Sequence, residues 1–306
     1  QYALAISNFD NSEEDPKRYN FGFIASTDDH TARPGTGYKQ YERRKMTFAT
    51  GVKSKMWEYK YKAEDPNFPE IPKITPGESQ PDSERVSSFV YPGGILAVHS
   101  QGRGKEAIWT ALKNKNVYGT SGPKILLWFD LLNSPEGKVP MGSKIKMSQN
   151  PRFIVRAAGS FKQNEGCAHE SIDSLSAERL EYLCAGECYN PTNEREIIEK
   201  IEVVKITPQN YEGEAISPLI QDPWKTIQCP MEGKCIAEFE DQNFSRDSVY
   251  YVRAIQKPTL AINGSPLSQR ENFELCKGSF RTDLEDNCLS MTGERAWSSP
   301  IYVDKP

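Results

Sequence analysis

The chain has 306 residues, of which 37% are hydrophobic, 10% aromatic and 26% charged, with 21 glycines and 21 prolines. This mixture is typical of a folded protein with one large or two medium domains, and it excludes the collagen-like, coiled-coil and wholly disordered classes. The formal net charge is −4, from 38 basic and 42 acidic residues, and no Lys/Arg block is dense enough to follow a phosphate backbone. We therefore expect no nucleic acid partner.

The longest apolar run, residues 125–132, is far shorter than the roughly 20 residues needed to cross a bilayer, and Asp130 interrupts it. We therefore expect no transmembrane segment. The sequence starts with Gln1 rather than Met, and its first residues lack the basic and apolar regions of a signal peptide. The chain is therefore expected to be a fragment, with the missing N-terminal part of the same protein as its partner.

Residues 20–30 read NFGFIASTDDH, an apolar run that stops abruptly at polar residues. This pattern predicts a buried strand of a parallel sheet or barrel, with Asp28 and His30 at its C-terminal end. The following residues, 31–90, are polar and contain clustered prolines. They predict a long excursion over the surface.

A second strand is predicted over residues 93–99, followed by the turn SQGRG and an amphipathic helix over about 105–115. A strongly apolar strand over 124–131 comes next. The order of strand, helix and strand predicts an α/β layer in this half of the chain.

After about residue 133 the sequence passes through a linker-like stretch into short segments of alternating pattern. We therefore place a domain boundary between residues 1–135 and 136–306. The second part has short segments enriched in β-branched and aromatic residues, which predict strands and a β-sandwich-like domain. These predicted strands cover residues 152–158, 199–206, 248–255 and 299–303. One helix is predicted, over residues 175–183.

The seven cysteines all lie in the second half of the chain. They are Cys167, Cys184, Cys188, Cys229, Cys235, Cys276 and Cys288. Their spacing and loop-like surroundings predict small disulfides between 184 and 188, 229 and 235, and 276 and 288, and hence a periplasmic or extracellular protein. Zinc binding is the alternative, but no CxxC is present. One cysteine must stay unpaired.

Three histidines are present, so a site made of many imidazoles cannot come from this chain alone. Asp28 and His30 are two residues apart at a predicted strand end and can converge on one metal ion. The alternative is that Asp28 caps a turn and His30 is solvated. His99 also ends a predicted strand, where Arg103 and a helix N-terminus can hold an anion. The alternative there is a glycine-rich turn with no ligand.

Four blocks of this sequence resemble, in order and over nearly the whole chain, the C-terminal part of the bacterial domain-of-unknown-function 3604 family. They are FGFIASTDDHTARPG, GGILAVHSQGRGKEAIWTALKNKNVYGTSGPKILLWFDL, SVYYVRAIQKPT and GERAWSSPIYV. That family is allied to the PHP (polymerase and histidinol phosphatase) metallophosphoesterases. The resemblance implies a distorted β/α barrel with two or three divalent metals, zinc, manganese or iron, that hydrolyses a phosphoester or a related ester or amide of an unknown small molecule.

By this resemblance, Asp28 and His30 are metal ligands, and His99 is either an acid that faces the substrate or a structural partner. Arg103, which with Lys105 as the alternative can hold an anion beside the helix N-terminus, is the second catalytic candidate. The His-x-His motif that opens the PHP superfamily is absent. We therefore expect an α/β plus all-β fold, the last part of a PHP-like barrel followed by a β-sandwich-like domain. The expected function is the C-terminal portion of a metal-dependent hydrolase, inactive alone. The alternative is a non-enzymatic exported binding or surface protein that uses the β-rich domain.

Overall fold

The structure is a computed structural model that describes residues 1–10, 16–26, 94–184, 186–262 and 289–306. Asp28, His30, the predicted excursion over 31–90 and the cysteines at 276 and 288 lie outside these residues. Among the described residues, no helix is long and apolar enough to span a membrane. In this part of the chain the helices are α1 (Tyr2–Ala5), α2 (Lys105–Lys113), α3 (His169–Ser174) and α4 (Ala177–Cys184), and a 3-10 turn covers Ser217–Leu219.

The described chain is mostly β-strand, as predicted for its second part. The first nine strands are β1 (Ser7–Asn8), β2 (Lys17–Arg18), β3 (Ile95–Val98), β4 (Val117–Thr120), β5 (Leu126–Ser134), β6 (Gly137–Pro140), β7 (Lys144–Lys146), β8 (Arg152–Ala158) and β9 (Phe161–Gln163). The other nine are β10 (Pro191–Arg195), β11 (Ile198–Ile206), β12 (Ile220–Gln228), β13 (Lys234–Glu240), β14 (Ser248–Gln256), β15 (Thr259–Ile262), β16 (Leu289–Thr292), β17 (Arg295–Ser298) and β18 (Ile301–Asp304).

Two sheets carry most of these strands. The larger sheet has the order β12-β11-β14-β17-β4-β3, and β18 joins it by pairing with β14 and with β7. The smaller sheet has the order β13-β8-β5-β6. Its central strand β8 alternates buried and partly exposed residues, the pattern of a strand with one face in a core.

The inner faces of the two sheets pack together around aromatic side chains. Phe153 of the smaller sheet stacks on Phe129 and Phe239, with ring centroids 5.4 and 5.2 Å apart. From the larger sheet, Tyr250 contacts Phe153 at 4.7 Å, and Val252 belongs to the same buried cluster. Face-to-face packing of two sheets, antiparallel here except where β18 runs parallel to β7, is a β-sandwich.

The predicted α/β layer is wrong. β3 and β4, which flank α2, are antiparallel neighbours rather than parallel ones. The chain reverses directly after the helix, where Lys115 has a φ of 58°, so it returns beside β3 without the crossover that parallel strands require. β5, the next predicted strand, lies in the other sheet. The described residues contain no closed barrel, so the PHP-like barrel is not supported by this fold.

The predicted boundary near residue 135 falls inside a hairpin. β5 and β6 pair across it, with Ser134 opposite Gly137. Buried residues from both sides of this position, such as Leu131 and Val303, belong to one core cluster. The division into 1–135 and 136–306 stays a prediction.

The outer face of the larger sheet is covered by the N-terminal segment. Leu4 and Ala5 are buried there against Val204 and Val249. Residues 20–26, predicted as a strand, pair in no strand ladder. Side chains of the sheet, from Tyr302 and Ser299, and one backbone hydrogen bond, from Gly94 to Ser26, hold this segment.

Candidate functional site

The segment before the Asp-x-His motif lies across the sheet at β4, β17 and β18. The Phe21 amide donates a hydrogen bond to the Tyr302 hydroxyl at 2.9 Å, and the Phe23 amide donates to Ser299 Oγ at 2.9 Å. Phe23 also contacts the Tyr251 ring edge to face, with centroids 5.0 Å apart. Burial raises the pKa of Tyr302 to about 12, so its hydroxyl keeps the proton at neutral pH.

A groove of about 370 Å³ runs between this segment and the sheet, with Gly119 and Trp297 on the sheet side. Gly119 allows the close approach, because a Cβ atom built on it would lie 2.8 Å from the Cβ of Ala25. Any larger residue at this position would push the segment away from the sheet.

The same segment connects to the start of β3. The Gly94 amide donates a hydrogen bond to the Ser26 carbonyl at 3.0 Å. Ser26 precedes Asp28 by two residues. The segment that leads to Asp28 and His30 is therefore fixed at the Gly94 end of β3, whereas the ligand roles of Asp28 and His30 stay predictions.

His99 lies at the other end of β3, in a half-buried position against aromatic rings. Its Nε2 atom is 2.8 Å from the Leu127 carbonyl, which can only accept, so Nε2 carries a proton and donates. Its ring lies 5.3 Å from that of Tyr118 and 5.8 Å from that of Trp128. This hydrogen bond links β3 to β5 across the two sheets, which matches the structural alternative for His99.

Arg103 is exposed in the loop between β3 and α2. In the described residues it shares no hydrogen bond or ion pair with His99, so the structure does not bring these two catalytic candidates together. Gly104 precedes α2, and no side chain caps the helix N-terminus. The catalytic roles of His99 and Arg103 stay predictions.

Sequence reasoning missed a buried contact between the turn after β4 and the loop before β17. Ser121 Oγ donates a hydrogen bond to Glu294 Oε2 at 2.5 Å, and the Arg295 amide donates to Ser121 Oγ at 2.9 Å. Glu294 is only 2% exposed. The available signal in GERAWSS was a charged pair, Glu294 and Arg295, directly before the apolar Ala296 and Trp297.

A charged group in the core was also missed. Asp241, 1% exposed, accepts hydrogen bonds from Lys205 Nζ and from the Tyr250 hydroxyl, both at 2.5 Å. Burial and the Asp241 carboxylate raise the pKa of Tyr250. Trp224 covers the Lys205 ammonium, with its ring centroid 5.4 Å away. Because these groups are enclosed and paired with one another, they belong to the core of the sandwich rather than to a binding site.

The cysteines give two separate sites. Cys229 and Cys235 form a disulfide between β12 and β13, as predicted. Cys184 and Cys188 lie at disulfide distance, as predicted, but the sulfur of Cys188 is at the same time within disulfide distance of Cys167. The third predicted pair lies outside the described residues. Cysteine pairs at disulfide distance fit an oxidising compartment.

A sequence model of the family described as "Protein of unknown function (DUF3604)" matches residues 10–165. The matched range contains the segment before β3, the strands β3 to β8 and all four candidate site residues. Comparison with curated proteins finds no match, and comparison with solved structures finds none either.

Proposed function

We propose that this chain, which belongs to the family described as protein of unknown function (DUF3604), is the C-terminal part of a PHP-like, metal-dependent hydrolase. Its reaction would be the hydrolysis of a phosphoester or a related ester or amide. In this proposal the β-sandwich is the rigid support on which the Asp-x-His motif is mounted.

The observation that carries the proposal is a set of contacts: three sequence blocks that are far apart in the chain touch one another in the structure. The block before Asp28 contacts the last block through Phe23 and Ser299. It contacts the middle block through Ser26 and Gly94. These blocks, two within the family match over residues 10–165 and the last one beyond it, are therefore neighbours in space around the segment that leads to the expected metal ligands.

The side chains of Asp28 and His30 suit a divalent ion, because a carboxylate and a neutral imidazole are ligands for zinc, manganese and iron. A bound metal would polarise the scissile bond and lower the pKa of a bound water. Two ligands do not fill the coordination shell of such an ion. The two other histidines of the chain, His99 and His169, are far from His30 in the sequence. We propose that the remaining ligands come from outside this chain.

In this proposal His99 is a positioning residue. Its hydrogen bond to the Leu127 carbonyl fixes β3 relative to β5, and β3 in turn holds Ser26 through Gly94. Arg103, exposed at the start of α2, would attract an anionic substrate without contacting the metal.

The test measures metal content and hydrolysis in the full-length protein, from its own initiator Met, and in the chain described above. Zinc, manganese and iron are determined by elemental analysis after dialysis, and activity is measured with bis-p-nitrophenyl phosphate and p-nitrophenyl acetate. Asp28→Ala and His30→Ala should each remove metal and activity from the full-length protein. Asp29→Ala, one residue away, is the matched control and should retain both.

Full-length protein without metal, or metal content unchanged in both Asp28→Ala and His30→Ala, would refute the proposal. The second of these results would favour the non-enzymatic alternative, in which the β-sandwich binds a partner. We propose that the protein is exported, and oxidised cysteines in protein isolated from its native host would support this.

A further inference from the structure

We infer that Cys167, Cys184 and Cys188 form an exchangeable disulfide site, in which Cys188 alternates between two partners and one thiol remains reactive at the surface. This inference is independent of the proposed hydrolase. It concerns the excursion between β9 and β10, which contains α3 and α4.

The geometry brings three sulfur atoms together where a disulfide uses only two. The Cys188 sulfur is within disulfide distance of both Cys167 and Cys184, and the sulfurs of those two residues are 3.7 Å apart. A cysteine sulfur forms one disulfide bond at a time. When two members of the cluster are joined in a disulfide, the third has no partner within the cluster, and in our proposal it is the odd cysteine that the count of seven requires.

The three sulfurs differ in their access to solvent. Cys188 is buried, with 9% of its surface exposed, whereas Cys167 and Cys184 are partly exposed. The shared sulfur is thus the protected one. Whenever Cys188 is in the bond, the remaining thiol is one of the two accessible residues.

The exchange step balances without an external oxidant. Cys184 loses its proton to water, and its thiolate attacks the Cys188 sulfur of the bond between Cys167 and Cys188. The new sulfur–sulfur bond forms as the old one breaks, and Cys167 leaves with the electron pair and takes up a proton. The reverse step regenerates the first pairing.

The accessible thiol is expected to react with low-molecular-weight disulfides. Its thiolate attacks one sulfur of such a compound, a mixed disulfide forms on Cys167 or Cys184, and the other half of the compound leaves as a thiol. The site is therefore a modification site for small thiol compounds in their oxidised form. The disulfide between Cys229 and Cys235 has no third described cysteine beside it and is the internal control.

The test maps the cysteine links in the full chain purified without reductant. The protein is incubated at pH 8, its thiols are blocked with N-ethylmaleimide near pH 6.5, and it is digested with pepsin in acid, where exchange is slow. Mass spectrometry should find both the 167–188 and the 184–188 links, with one blocked thiol per cluster, shared between Cys167 and Cys184. The 229–235 link should be complete throughout.

Two variants isolate the pairings. Cys184→Ser should contain only the 167–188 link, and Cys167→Ser only the 184–188 link, each without a blocked thiol in the cluster. Incubation with glutathione disulfide should add one glutathione to the cluster of the wild type and none to that of either variant. Both variants retain a disulfide, and circular dichroism checks that they fold.

Three results would overturn the inference. The first is a single fixed link in the wild type after prolonged incubation at pH 8. The second is three blocked thiols in the cluster, which would show that no disulfide forms. The third is one equivalent of zinc that protects all three thiols from N-ethylmaleimide until a chelator is added, which would show a metal site instead.

Discussion

Replacement of Asp241 by alanine should destabilise the β-sandwich more than replacement of any acidic residue on its surface. The carboxylate accepts hydrogen bonds from Lys205 Nζ, the Tyr250 hydroxyl and the Asn243 amide. The side chain of Lys205 is 10% exposed and Tyr250 is fully buried. In Asp241→Ala, an ammonium and a hydroxyl would remain in the core without their acceptor.

The magnitude follows from these losses. An uncompensated buried charge costs about 3–5 kcal/mol when its partner is removed, and an unsatisfied buried hydroxyl costs a further 1–3 kcal/mol or so if no water replaces the carboxylate. Because the two costs overlap, we expect the free energy of unfolding to fall by about 4 kcal/mol in Asp241→Ala. At roughly 2 °C per kcal/mol for a chain of this size, the melting temperature should fall by about 8 °C.

The assay is urea unfolding followed by tryptophan fluorescence, with thermal unfolding by circular dichroism as a second measurement. Glu238→Ala is the matched control, because Glu238 lies on the neighbouring strand β13, is paired with Arg152 and has a side chain 58% exposed. Its effect should stay within about 0.5 kcal/mol. A double change, Asp241→Leu with Lys205→Met, should recover much of the lost stability, because it removes both charges. If the free energy of unfolding falls by less than about 1 kcal/mol in Asp241→Ala, the carboxylate is not what compensates the buried charge of Lys205, and the reasoning is refuted.

Two further predictions concern a surface ion pair and a close backbone approach. Two hydrogen bonds from Arg246 lower the pKa of Glu214 from 4.5 to about 2, so this pair stabilises the fold above pH 4.5 and loses that contribution as the pH falls towards 2. Glu214→Gln should lower the free energy of unfolding by about 1–2 kcal/mol at neutral pH. Its free energy of unfolding should also fall less steeply than that of the wild type as the pH drops from 4.5 to 2, and an equally steep fall would contradict this. Gly159→Ala should prevent normal folding, because its Cβ atom would lie 1.9 Å from the Glu196 carbonyl oxygen. Gly102→Ala, with its nearest atom 4.0 Å away, should fold as the wild type, and equal solubility and melting of the two variants would refute the steric argument.

Local patterns predicted individual elements well. Arg152–Ala158 is a strand with the predicted bounds, and the predicted helix from 105 is Lys105–Lys113. These segments form where alternation or a 3.6-residue period is strong, so short stretches of sequence contain the necessary information. The pairing of strands, by contrast, is not determined by short stretches of sequence. Whether β3 pairs parallel or antiparallel with β4 depends on how the chain turns at Lys115 and on which sheet accepts β5.

The candidate site shows the same division. The sequence predicts Asp28, His30 and His99 at strand ends, whereas residues 20–26 pair in no strand ladder. It also contains no sign that His99 donates a hydrogen bond to the Leu127 carbonyl, because that contact joins two different sheets. Cysteine spacing, in the same way, predicts disulfides only between cysteines that are close in the sequence. It pairs 184 with 188, and it misses Cys167, which comes within reach because α3 and α4 fold back on each other.

Residues 1–10 and 16–26 are anchored on the outer face of the larger sheet, which has a consequence for protease experiments. Besides Phe21 and Phe23, Arg18 forms an ion pair with Asp247, and Leu4 is buried under β11 and β14. A single cut within residues 27–93 would therefore leave these contacts between the described residues before and after the cut in place. The short N-terminal peptide should co-elute with the larger fragment in size-exclusion chromatography and separate from it only in denaturant. The two pieces, produced separately, should reassemble as a split protein.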